Sequence, residues 1–116
     1  MKKTARRVKK KAAVKAKREL EYVIVRCSRA GVHAGLLASV GKDFVVLLQA
    51  RRLWHWNGAA TLSELAVHGL NPAKSSGSKF AVRVPEQRVA REDVCEIIAC
   101  QPAGRASIEG VPEWRA

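Results

Sequence analysis

From Tyr22 onward the chain alternates short apolar runs with turn-forming clusters, and this pattern predicts most of its elements. YVIVRC is a β-branched run followed by Ser-Arg-Ala-Gly; HAGLLASV is closed by Gly41-Lys42-Asp43; FVVLLQ follows at once. Three apolar runs separated by glycine-containing turns predict an antiparallel meander. FVVLL is apolar at every position rather than alternating, which predicts a strand covered on both faces, central in the sheet or in a subunit interface. RRLWHW reads as a fourth strand, whose period of two sets Arg52, Trp54 and Trp56 on one side and Arg51, Leu53 and His55 on the other.

A helix is expected next, over residues 61–69. Thr61-Leu62-Ser63-Glu64 is a capping-box sequence, Leu62, Leu65 and Ala66 form one apolar face, and Gly69 followed by Asn71-Pro72 is a stop. AKSSGSK (73–79) reads as a surface loop, FAVRV (80–84) as a strand ended by Pro85, and DVCEIIAC (93–100) as a further strand. Pro102-Ala103 opens a second helical segment running to about Gly110, with Gly104 as a weakness inside it, and Trp114 is expected to cap a hydrophobic edge. About six strands with one short helix, and a second over 102–110, define an α+β domain with a mainly antiparallel sheet. Such a sheet has edges to cover, and homo-oligomerisation is a common means of covering them.

Charge changes the picture at one end only. Of 22 Lys and Arg, ten fall in the first eighteen residues: Lys2, Lys3, Arg6, Arg7, Lys9, Lys10, Lys11, Lys15, Lys17 and Arg18, with no acid among them. The remaining twelve cations face ten acids, so the rest of the chain carries about +2 of the formal +12. This divides the chain into a basic tail (1–19), expected to be disordered alone in water, and one α+β domain (20–116). Ten cations attract polyanions with a salt-sensitive affinity, but without aromatic residues they read phosphate rather than bases.

Several classes of chemistry find no support. The three cysteines, Cys27, Cys95 and Cys100, form no C-x-x-C and are read as reduced, buried thiols; His33, His55 and His68 have no partner at ligand spacing, so neither a metal nor a cofactor is expected. Ser63 lies outside a G-x-S-x-G elbow, and no phosphate-binding glycine loop is present, which argues against an enzyme. No run is apolar or long enough for a secretion signal or a membrane span, and a cytoplasmic protein is expected.

The stretch with most binding chemistry is RRLWHWNGAATLSELAVHG (51–69). The amides at its helix start, approached by Asn57, Gly58 and Thr61, can hold a phosphate; Arg51 or Arg52 can oppose it; Trp54 and Trp56 can stack on a base. Equally, Thr61 and Glu64 can satisfy those amides themselves, and one tryptophan can belong to the core.

Tyr22–Arg26, Gly31–Gly35, Ala50–Trp56, Gly58–Ala66 with Gly69, Lys79-Phe80, Glu96–Cys100 and Val111–Trp114 carry a resemblance. The chain resembles a family of small, mostly uncharacterised proteins encoded by phages and prophages, marked by ARR(I/L)WxWxGAA(S/T)LSxLA. His33 and His55 stand where an aromatic is more usual there, and the basic tail lies outside the pattern. The resemblance implies a phage-borne, non-enzymatic protein of the host cytoplasm. Two functions are thereby expected: capture of an anionic nucleotide, as in sequestration of an immune signal by a counter-defence protein, or binding of DNA or RNA by an oligomer through its tails.

Overall fold

The computed structural model describes residues 19–116, so the expectations for the basic tail lie outside the described residues. The elements run β1 (Tyr22–Cys27), β2 (Val32–Val40), β3 (Phe44–His55), α1 (Leu62–His68), β4 (Lys79–Phe80), β5 (Val84–Ala90), a 3₁₀ turn (Arg91–Asp93), β6 (Val94–Ala99) and α2 (Pro102–Gly110). The sheet order is β4-β3-β2-β1-β6, with β5 also on β3, and every strand pairing is antiparallel. This is the α+β architecture that the sequence predicts.

Three boundaries differ from the sequence reading. FVVLLQ and RRLWHW are one twelve-residue strand, β3, not two. FAVRV is not one strand: β4 ends at Phe80, and Pro85 lies inside β5 rather than terminating a strand. Pro85 is tolerated because β5 pairs with β3 alone and its other side is an edge.

The join within β3 is a bulge. Ala34 pairs with Arg51 but Leu36 with Leu48, so β3 fits one extra residue there, and Gln49 takes a left-handed φ of 49°. A one-residue insertion inverts side-chain parity. Before it, Val45 and Leu47 face one apolar cluster; after it, Ala50 joins that cluster while Leu53 belongs to the other. Arg51 is thereby turned to the side of Leu53, beneath the helices.

The sheet is strongly coiled. Arg91 N–H donates to Asp43 O and Ser28 N–H to Asp93 O, both at 2.8 Å, so a three-residue turn links the start of β3 to the end of β1. In a flat sheet those corners would be separated by the nine-residue β2, ~30 Å long. Three residues reach roughly 10 Å. The sheet therefore curls into a half-closed barrel, with Val23, Val25, Cys27, Val45, Leu47, Ala50 and Val89 buried inside it without help from a helix. The convex face carries Tyr22, Ile24, Leu36, Leu53 and Phe80 against Leu65 and Ala66 of α1 and Ile108 of α2. Gly104, a weakness by propensity, is where the helices touch: a Cβ there would lie 2.0 Å from Ala66 O.

Arg51 is 1% exposed, and among the described residues no carboxylate forms an ion pair with it. Its Nε donates to Ala81 O (3.0 Å), Nη1 to Ile108 O (2.9 Å) and Val111 O (2.8 Å), and Nη2 to Phe80 O (2.9 Å). The carbonyls at the C-terminal end of α2 carry the negative end of the helix dipole, which compensates the buried cation. One side chain thus ties β3 to β4, the 81–83 crossing and the chain end. Glu113 fastens that end from outside by accepting from Arg83 N–H (2.9 Å) and pairing with Arg115 (2.9 Å) and Arg83 (3.4 Å).

Two outcomes follow from these contacts. Arg51→Met should lower the unfolding free energy by ~3–5 kcal/mol in denaturant titration, because four carbonyls lose their donor; a loss below ~1 kcal/mol would refute the anchoring role. The Arg83 N–H and the neighbouring Arg115 hold the Glu113 carboxyl down at about 2, from 4.5. A depressed folded pKa stabilises above the unfolded value and is lost as acid rises. Thermal melts should therefore show wild type losing more stability than Glu113→Gln between pH 4.5 and about 2; parallel losses would exclude the carboxylate as their source.

Candidate ligand-binding surface

The capping box closes the helix start. Thr61 Oγ1 accepts from Glu64 N–H at 3.0 Å, and the Glu64 carboxylate accepts from Ala60 N–H, one residue before the cap. α1 is seven residues long, and the Glu64 amide in its first turn is taken by the Thr61 side chain. Nor do the approaching residues form an open cradle. Asn57 donates from its N–H to Ser78 Oγ (3.0 Å) and from Nδ2 to Ser76 O (2.8 Å), so it pins the 75–78 loop. Gly58 takes a φ of 96° and lies against Asn71, whose N–H donates to Gly58 O at 2.9 Å.

The two arginines separate as parity requires. Arg51 is enclosed and its guanidinium is bound to main-chain carbonyls, so it is a structural anchor rather than a ligand contact. Arg52 is exposed, and among the described residues its side chain has neither a hydrogen bond nor an ion pair. It lies beside His33, its partner in the β2–β3 register. His33 is fully buried and donates from Nε2 to Ala30 O at 2.9 Å, while Nδ1 meets no hydrogen-bond partner among the described residues. Burial, then the neighbouring Arg52 charge, pushes its pKa down, so the imidazole stays neutral.

The tryptophans do not form the pair that alternation suggested. Trp56 is half-buried and packs against the convex-face core. Trp54 is 63% exposed, and its stacking partner is Trp114, itself 44% exposed, with ring centroids 6.1 Å apart and planes inclined by 20°. A second bulge creates this contact. Leu53 pairs with Phe80 and His55 with Lys79, which leaves Trp54 as the extra residue, pushed out of the ladder. Trp114 arrives from the chain end, where its N–H donates to Phe80 O at 2.9 Å and Glu113 bridges Phe80 in parallel. Lys79 lies between them in sequence register, with Nζ 5.4 Å from the centroid of the Trp114 ring and no ion pair among the described residues. The result is an exposed ledge of two indoles and one ammonium. Trp114 therefore enters the site, and Lys79 with it; the only sequence signal for them was the late Trp in a polar segment and the Lys-Phe dipeptide.

Reactive groups are sparse elsewhere. Cys27 is buried as expected and Cys100 half-buried, but Cys95 is exposed, contrary to the expectation of three buried thiols. Burial pushes the Cys100 thiol up to about 11 and raises Cys27 too, so neither supplies a thiolate at neutral pH. Among the described residues no three His, Cys, Asp or Glu side chains are grouped to hold a metal ion, and no helix is long and apolar enough to cross a membrane.

No curated protein and no solved structure matches the chain. Residues 20–108 match the model of a domain of unknown function, DUF6948, and the chain belongs to that family.

Proposed function

We propose that this is a non-catalytic nucleic-acid-binding protein that takes an unpaired base on the Trp54–Trp114 ledge, while the cations of residues 1–18 neutralise phosphates. The observation that carries the reading is the exposed stacked indole pair with an ammonium beside it. Large aromatics left in water forfeit burial that a stacking partner restores. The two indoles are already in mutual contact, so a base lies on an outer face of the pair and its phosphate reaches Lys79. Duplex bases offer no free face. Single strands do, and base–aromatic stacking contributes ~1–3 kcal/mol per base. Lys2, Lys3, Arg6, Arg7, Lys9, Lys10, Lys11, Lys15, Lys17 and Arg18 add affinity without sequence preference.

Capture of a small anionic nucleotide by a phage counter-defence protein in the host cytoplasm has less support. Of Arg51, Arg52, Trp54, Trp56, Asn57, Gly58 and Thr61, only Arg52 and the outer face of Trp54 are exposed and open to a ligand.

Fluorescence anisotropy with labelled single-stranded oligonucleotides at ~50 mM salt tests the reading, since phosphate neutralisation is strongest there. Trp54→Ala should weaken binding roughly 5- to 150-fold, the equivalent of one stacked base. Replacing the ten tail cations with glutamine in the full chain should flatten the dependence of affinity on salt. Absence of binding to every single strand would overturn the proposal, and calorimetric heat with cyclic dinucleotides but not with oligonucleotides would favour the small-ligand reading instead.

A further inference from the structure

We propose that the outer edge of β6 is an interface for a second copy of this chain, joined β6 to β6 about a two-fold axis. β6 pairs with β1 on one side, and among the described residues no strand pairs with the other. Cys100 N–H donates to Tyr22 O at 2.9 Å, so the alternation of the ladder turns the main-chain groups of Ile98 and Glu96 toward β1. Those of Ile97 and Ala99 point outward, whereas Cys95 is the extra residue of a register shift opposite Arg26 and breaks the alternation.

Folded proteins blunt such edges with proline, lysine or other charges. β5, the edge strand at the opposite side of the sheet, is treated in this way: it carries Pro85, and Glu86 and Arg88 form an ion pair along it at 3.0 Å. β6 is not. Its sequence VCEIIA holds neither proline nor lysine, its one charge is already bound by Arg26 at 2.7 Å, and Ile97 is 36% exposed. An unprotected main-chain edge is matched by another strand.

The strand is its own complement. With Ile98 on the axis of an antiparallel pair, Ile97 faces Ala99 of the second copy and Glu96 faces Cys100, so no like charges oppose each other and about four hydrogen bonds form. β5 is the poorer partner, because Pro85 donates nothing and a head-to-tail contact need not close. The two-fold arrangement yields one continuous sheet with β4 at both far ends, and hence a Trp54–Trp114 ledge at each. The interface does not depend on the nucleic-acid reading.

Light scattering of the full-length chain, in high salt without nucleic acid and over micromolar to sub-millimolar concentrations, should show a dimer that dissociates on dilution. Ile97→Lys should give a monomer. Ala99→Lys, at an exposed side chain that can change without disturbing the core, should do the same with an unaltered circular dichroism spectrum. A wild type monomeric throughout, a dimer that both variants leave intact, or an open series of higher oligomers would each overturn the proposal.

Discussion

The architecture depends on a positive charge buried among main-chain carbonyls. Arg51 sits beneath two helices, and its charge is balanced by four carbonyl dipoles rather than by a carboxylate. Those carbonyls belong to β4, the 81–83 crossing and the end of α2, segments that Arg51 fastens to β3 from within the convex-face core. The charge can be there because the bulge at Gln49 inverts the facing of β3. Without that extra residue, the arginine would face the barrel interior, among valines and leucines that offer no acceptor. Bulge and arginine are one device.

The ledge is a product of the same arrangement. Arg51 and Glu113 draw the last residues of the chain alongside β4, and this brings Trp114 across from Trp54. Two bulges in β3 therefore have different consequences: the first buries a cation, the second ejects an aromatic. The surface that offers most for recognition lies where the two ends of the domain's second half are stitched together.

Much of the fold was legible from local rules. The capping box at Thr61 and Glu64, the stop at Gly69, the meander and the last strand each follow from spacing and turn chemistry, and each is present. What local rules cannot see is a shift in register. The sequence around Gln49 contains no glycine or proline to announce a bulge, so counting set Arg51 and Arg52 on opposite faces without disclosing that Arg51 faces the core, and it joined Trp54 to Trp56. That pairing fails because Trp54 is itself an inserted residue. The pairing of Trp54 with Trp114 spans more than half of the domain, and nothing in either neighbourhood specifies it. Gly104 shows the opposite case: propensity marks it as a flaw, whereas the close approach of Ala66 O requires it.

The coiled sheet has a consequence for how the chain is made. β1 is completed by β6, and the Arg26–Glu96 contact joins residues 70 positions apart. During synthesis β1, β2 and β3 can assemble as a meander soon after they emerge, but the outer side of β1 must wait for β6, the last of the six strands. The barrel interior stays open for the same interval, because its closing turn at Arg91–Asp93 arrives just before that strand. Closure is thus a late, long-range event, of the kind that slows folding and leaves an apolar edge in water meanwhile.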